Sequence, residues 1–341
     1  MIGVAVVGAG RWGPNLIANF ERSERSRVLH VIDRDEARLR AVAARFPSVR
    51  VHADPGPALA DPAVDAFVIA TPTQSHAELA RTALEHGRHV LVEKPLTDSV
   101  ATSEALCALA ERSGRVLMVG HVFLYNAAAR RVRDYVVAGD LGRIYYISMV
   151  RTNLGPIRVD VDAAWDLAAH DIALASYWLG AEPLCVSAAG GAFINPGIAD
   201  VVFATLRYPG DVLVNLHASW LNPRKARDIT VVGDRKMLTF DDVNAVEPLR
   251  LYDKQVAEER VRPEFVDSIE SFRTSVREGD VTVPRIPAGE PLRNECEHFL
   301  DCVIDGKLPL SGGVQGLAVV RALDALSRSL REGGREVRVE A

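Results

Sequence analysis

Up to about residue 122, short apolar runs alternate with amphipathic stretches. The runs at 3–7, 28–33, 49–52, 66–70, 90–93 and 116–120 have the length of buried strands. Between them, apolar positions recur at helical spacing over 15–22, 36–46, 74–86 and 100–112. Strands alternating with helices of this length predict right-handed βαβ units on a parallel sheet covered on both faces, a doubly wound α/β domain over 1–122.

The texture changes after Asn126. A helical pattern at 127–138 leads into the alternating run IYYISMVRTN, and a second helix is predicted at 166–179. Strand-like segments follow at 184–193, 201–208, 212–220, 228–232 and 236–240, two of them joined by the hairpin residues Pro209, Gly210 and Asp211. Residues 261–290, rich in Pro and charge, read as loop, and helices are predicted at 292–304 and 314–331. Strands after helices predict an α+β domain over 123–341 with a mostly antiparallel sheet.

Composition narrows the function. With 341 residues, 48% hydrophobic and 25% charged, the chain is of ordinary globular type, and its net charge of -5 supplies no basic field for nucleic acid or an anionic membrane. Cys107, Cys185, Cys296 and Cys302 form no CxxC pair, so they read as buried thiols of a cytoplasmic protein rather than metal or redox ligands. The N-terminal stretch lacks the basic region of a signal peptide, so the chain is expected to begin at or near Met1. No HxxxH, HExxH or GxSxG occurs, and no metal is expected. Only five of 40 basic residues are lysines, Lys94, Lys225, Lys236, Lys254 and Lys307. Where arginine serves for fixed charge, a lysine marks a proton that can be released.

Three stretches carry candidate chemistry. GAGRWG places Gly8, Gly10 and Gly13 in GxGxxG spacing after the first strand, with Arg11 and Trp12 inside the loop. Such glycines allow a tight turn and close approach to a pyrophosphate seated on the helix N-terminus. Asp33 ends the second strand 25 residues after Gly8, where a carboxylate binds the adenosine ribose and disfavours a 2'-phosphate; NAD is therefore preferred, with NADP left open by Arg34. ATPTQSH and LVEKPL end the fourth and fifth strands, so Thr71, Pro72, His76, Glu93 and Lys94 should face the cofactor crevice. Thr73 also suits a helix cap, and His76 an exposed helix position. Pro95 ends strand pairing and biases Lys94 away from helical angles. In WDLAAHD, Asp166 and His170 are four apart, one turn on a single helix face, as suits a shared substrate or simply a polar helix start.

GAGRWGPN, ATPTQSH, EKPLTDS, MVGHVFLYN, WDLAAHDI, SWLNPRKARDITVVG and EPLRNECEHFLDCVIDGK follow one another as in the glucose-fructose oxidoreductase / inositol dehydrogenase (Gfo/Idh/MocA) family, which the chain resembles over nearly its whole length. The resemblance implies a Rossmann domain, then an open antiparallel sheet through which subunits form a homodimer or homotetramer. It also implies that Lys94, Asp166 and His170 meet the substrate beside the nicotinamide. WGPN, GHVFLYN and DLAAHDI are most similar to the branch acting on sugar-nucleotide hydroxyls, typically at carbon 3. Ala127 and Ala169 stand where many relatives carry proline.

Oxidising a secondary alcohol needs a hydride acceptor and a base. His170 as base with Lys94 stabilising alkoxide and Asp166 orienting is one assignment; Lys94 as proton carrier is another. Tyr125, Tyr146, Asn153, Arg224 and Lys225 are candidates for holding the rest of the sugar or a diphosphate, each with a packing or surface role as the alternative. A free-polyol, inositol or glucose dehydrogenase and a non-catalytic cofactor-binding sensor are the competing functions.

Overall fold

The computed structural model describes residues 1–256 and 276–340. The chain divides into two compact units, Met1–Asn126 with Gly289–Asp324, and Ala127–Ala288 with Ala325–Ala341. The return of the chain to the first unit leaves no trace in hydrophobic period, because an apolar helix stripe looks the same whichever core it enters.

In the first unit β1 (Ile2–Val7), β2 (Ser26–Ile32), β3 (Arg50–His52), β4 (Ala66–Ile69), β5 (His89–Glu93) and β6 (Leu117–Gly120) form one sheet in the order β3-β2-β1-β4-β5-β6. Every neighbouring pair is parallel. Val4, Val6, Ala66, Val68, Val90 and Val92 are buried together with the residues between them, so these runs are apolar without alternation: both faces are covered. Helices Gly13–Arg22, Glu36–Arg45, His76–Glu85 and Val100–Ser113 make the crossovers. Asp35 caps the second by accepting the Ala37 and Arg38 N–H groups, Ser99 caps the fourth through Thr102 N–H, and Gly114 ends it in the left-handed region. A further helix, Gly56–Ala60, is too short at 5 residues to show a period. The strand order reverses between β1 and β4, which opens a crevice at their carboxyl ends. Helix Pro291–Asp305 packs on Gly13–Arg22, where Phe20 and Phe299 meet edge to face at 6.2 Å.

The second unit holds a nine-stranded sheet in the order β14-β13-β12-β11-β7-β10-β9-β8-β15. Its strands are β7 (Ile144–Leu154), β8 (Cys185–Gly191), β9 (Val201–Tyr208), β10 (Val212–Ser219), β11 (Leu221–Gly233), β12 (Met237–Asp241), β13 (Leu249–Val256), β14 (Val276–Thr282) and β15 (Val337–Arg338). Among the described residues, only β7 and β10 pair in parallel. Along β9, Val202, Ala204, Leu206 and Tyr208 are buried, while Phe203 on the other face is 50% exposed and stacks on His217 at 4.4 Å. Such alternation is the signature of a sheet with one open face. β14 corrects the expectation of loop over 276–282, where a charged, Gly-containing edge strand lacks apolar alternation; the rest of that expected loop up to residue 275 lies outside the described residues. β13 was also not evident from the pattern.

Helices Ala127–Val137 and Ala169–Leu179 belong to this unit. Beside the second lies a buried ion pair: Arg151 Nε and Nη2 donate to Asp171 Oδ1 at 2.8 and 2.6 Å. Burial nonetheless outweighs the attraction of Arg151 and holds the Asp171 carboxyl above its ordinary range. Arg151 lies directly opposite Arg227 in the β7–β11 ladder, a like-charge juxtaposition offset by a separate acid for each, Asp242 taking Arg227 at 2.7 Å. Among the described residues no helix is long and apolar enough to cross a membrane. All four cysteines are free thiols.

Candidate active site

The glycine-rich loop is built by close contact. Gly8 has φ +100°, and a Cβ there would lie 2.5 Å from the Ala70 carbonyl oxygen; one on Gly13 would lie 2.0 Å from the Gly8 oxygen. Both glycines are thus required by the protein's own packing. Gly10 differs, since a Cβ on it would meet only Arg38 at 3.7 Å. The helix that follows begins at Gly13 with Pro14 in its first turn and no acidic residue there. An open glycine before an uncapped helix start suits a pyrophosphate. Asp33 Oδ2 accepts the Ala9 N–H at 2.7 Å, so it braces this loop, and Arg38 approaches the same oxygen at 3.5 Å. Arg34 and Arg11 are exposed. These residues fit the adenosine and diphosphate of a dinucleotide.

At the ends of β4 and β5 the two loops are tied together. His76 is buried, correcting the exposed helix position, with Nε2 at 2.9 Å from the Thr71 oxygen and Nδ1 at 3.0 Å from the Pro95 oxygen. Carbonyl oxygens only accept, so a neutral ring fully satisfies one contact, and burial works against the charged ring that would satisfy both. Thr71 Oγ1 accepts from Ser75 Oγ at 2.8 Å, while Pro72 is exposed. Thr73 lies buried in a 3-10 turn, and Ser75, not Thr73, precedes the helix. His76→Ala is expected to weaken NAD binding roughly tenfold in an NADH fluorescence titration, the cost of one buried hydrogen bond passed to both loops. Unchanged affinity would detach His76 from the cofactor.

Beyond β5, Lys94 is partly buried and joined to Pro95 by a cis peptide. The Glu93 carboxylate accepts hydrogen bonds from the Lys94 N–H and the Trp12 indole, linking the EKP turn to the glycine-rich loop. It packs so closely on Gly120 that a Cβ there would lie 3.2 Å from the carboxyl carbon. Burial lifts this carboxyl to about 7, against the charge of Lys94 and those hydrogen bonds. Glu93 is therefore directed into the protein. Next to Gly120, His121 is buried, and burial, then the charge of Lys94, push its imidazole down to about 3. Tyr125, a substrate candidate from the sequence, has a wholly buried side chain, its hydroxyl 3.1 Å from Ser311 Oγ.

In the second unit, Ala164–Ala168 form a π turn that passes into helix Ala169–Leu179, so Asp166 and His170 straddle a change of helical pitch instead of one regular turn. Asp166 is held at both oxygens: Arg158 Nη1 donates to Oδ1 at 3.1 Å and the buried Trp220 indole to Oδ2 at 3.2 Å. Sequence reasoning missed both partners, although an arginine isolated in the PIRVDVD stretch and one of only four tryptophans were available signals. His170 sits partly buried in the first turn of the helix. Asn153 donates its side-chain N–H to the Gly155 oxygen. Between Leu221 and Ala226 the β7–β11 register breaks, and the exposed Arg224 and Lys225 lie in this bulge; Arg224 pairs with Asp228 at 3.0 Å. Tyr146 is exposed at the β7–β10 pairing beside Leu213. The first unit thus gathers Gly8, Gly10, Trp12, Asp33, Thr71, His76, Glu93 and Lys94 at one sheet edge; Asp166 and His170 belong to the second unit.

Two family models match the chain. Residues 2–121 match an oxidoreductase family with an NAD-binding Rossmann fold, and residues 129–239 match the GFO/IDH/MocA C-terminal domain. The chain is 27% identical to the scyllo-inositol 2-dehydrogenase (NAD(+)) of Bacillus subtilis, over 96% of this chain and 94% of that protein. Its fold is similar to the solved UDP-N-acetylglucosamine 3-dehydrogenase of Acidithiobacillus ferrooxidans, with TM-score 0.83 and 26% identity over 97% of this chain and 99% of the other. A structure from gentamicin A biosynthesis, in complex with NAD, gives TM-score 0.82 and 26% identity over 100% and 97%.

Proposed function

Because the chain belongs to the GFO/IDH/MocA family of oxidoreductases with an NAD-binding Rossmann fold, we propose that it transfers hydride between nicotinamide and a secondary hydroxyl or ketone of a nucleotide-linked sugar, at carbon 3. The observation that carries this reading is Lys94, delivered by β5 to the same sheet edge as the glycine-rich loop, with its neighbour Glu93 fastened to Trp12 of that loop. The likeness to a UDP-N-acetylglucosamine 3-dehydrogenase supports the substrate class, and the cationic bulge at Arg224 and Lys225 offers charge for a diphosphate. Full-length similarity to an inositol dehydrogenase favours a second reading, a free cyclic polyol.

NAD, when bound, supplies the hydride acceptor. His170 takes the hydroxyl proton in the oxidative direction, and Lys94 donates a hydrogen bond to the same oxygen as negative charge grows on it. Asp166, fixed by Arg158 and Trp220, orients the base or an adjacent hydroxyl. NADP is the alternative cofactor, for which Arg34 beside Asp33 would meet the extra phosphate.

A thermal-shift screen with NAD, NADP, nucleotide sugars, inositols and glucose, followed by NADH formation, tests the reading. A ligand selective for the native state at 100-fold its Kd stabilises by about 2.7 kcal/mol. Stabilisation and turnover with a nucleotide sugar are expected. Response to inositol alone favours the polyol reading, and cofactor binding without reduction of any panel member favours a sensor. The same proposal places the enzyme in the cytoplasm, in keeping with its free thiols, and assembles it as a dimer or tetramer through the open sheet face bearing Tyr146, Phe203 and His217, to be checked by light scattering.

A further inference from the structure

Glu295 lies on helix Pro291–Asp305 in the first unit, 0% exposed, and neither carboxyl oxygen has a hydrogen-bond partner. It is not part of the chemistry derived above. The helix packs against the turn Val122–Tyr125 and against helix Gly13–Arg22, the elements that follow His121 and Trp12. The surrounding charges are accounted for. Arg25 engages Glu297 and Asp301, both at 2.7 Å, and His298 Nε2 accepts the Leu310 N–H at 2.9 Å. Arg22 lies 3.8 Å from Glu290, and both are exposed. Tyr125 gives its carbonyl to Asn294 at 3.2 Å. None of these side chains is a partner of Glu295. The charge that acts on it is Glu93, and Glu93 in turn feels Lys94. His121, also buried, has both ring nitrogens without a partner.

An unpartnered buried carboxylate would pay a large desolvation cost, and two adjacent carboxylates would add mutual repulsion. The group avoids both by keeping its proton. We infer that Glu295 works as a neutral carboxylic acid: with Glu93 it forms a carboxyl pair carrying one negative charge, not two, and that single charge, on Glu93, holds Lys94 and, through Trp12, the glycine-rich loop. Burial and then the Glu93 charge keep the Glu295 carboxyl well above its ordinary range, while Glu93 releases its proton first, near neutrality, because Lys94 and two N–H donors assist it. Below that point the pair is uncharged and Lys94 loses its counter-charge. The inference rests on the reading that Lys94 meets the reacting hydroxyl, and two of its tests do not need turnover.

The native state binds the Glu295 proton at a pH where the unfolded chain has released it, so this stabilisation is full below about pH 4.5 and is lost as pH rises toward the native value. Glu295→Gln, neutral and similar in shape, escapes the loss. The melting temperature of Glu295→Gln minus that of the parent is expected to grow as pH rises above the ordinary carboxyl range. In infrared spectra above neutral pH, the carbonyl band of a protonated carboxylic acid is expected in the parent and in Glu93→Gln, and absent in Glu295→Gln. In kinetics, Glu93→Gln should lower kcat/KM tenfold or so and remove the acid limb of its pH profile, whereas Glu295→Gln should keep that limb and stay within about threefold of the parent. A melting difference flat with pH, the same infrared band in Glu295→Gln, or loss of the acid limb in Glu295→Gln would each overturn the inference. A chain that shows the band and the growing melting difference but turns over no sugar refutes the proposed function alone.

Discussion

Lys94→Ala is expected to lower kcat by about a thousandfold, with NAD affinity changed no more than a few-fold, whichever way the proton travels. As a proton carrier Lys94 moves the proton itself; as a donor to the alkoxide it stabilises charge that exists only in the transition state, and such a loss appears in kcat. Lys94→Arg separates the two. Arginine keeps the positive charge but holds its proton at every working pH, so a carrier role predicts no recovery and a donor role predicts partial recovery. His170→Ala completes the comparison, since a general base there predicts a loss of similar size. Steady-state NADH formation reads all three, and near-parental turnover by Lys94→Ala would remove the residue from the mechanism.

The largest stability effect is expected at the buried pair of Arg151 and Asp171. Breaking such a pair by removing one partner typically costs about 3–5 kcal/mol. The two partners are not equivalent here. Asp171, already held above its ordinary range by burial, can take up a proton when Arg151 is lost, whereas Arg151 cannot shed one when Asp171 is lost. Asp171→Leu should therefore fall at the upper end of that range and Arg151→Met at or below the lower, in urea unfolding of each variant. Equal or reversed losses would show that packing, not charge, governs the site.

Much of the fold was legible because its first 120 residues are repetitive in physics: each buried parallel strand is a solid apolar run and each crossover helix carries one stripe. The ends of β1, β4 and β5 placed GAGRWG, ATPTQSH and EKP on one edge, as the structure shows. Side-chain direction was not legible. Nothing in a one-dimensional pattern tells that Glu93 turns toward Gly120 and Trp12, that His76 spans two carbonyls, or that the Tyr125 hydroxyl reaches Ser311, 186 positions away. The π turn before His170 was equally hidden, since one extra residue in a turn leaves the apolar spacing almost unchanged. Arg158 and Trp220 became visible as partners of Asp166 only once β7, β10 and β11 were paired.

The return of Gly289–Asp324 to the first unit has a consequence for the order in which the protein comes into being. Domains made early on the ribosome usually fold early. Here the nucleotide-binding unit begins the chain but is finished only after residues 127–288 of the second unit have been made, because Phe299, which covers Phe20, and Glu295 both lie in its returning segment. Until then the second unit stands between the two parts of the first. The nucleotide-binding unit is in this sense closed only after most of the second unit has been made, which ties a working cofactor site to a chain long enough to carry both units.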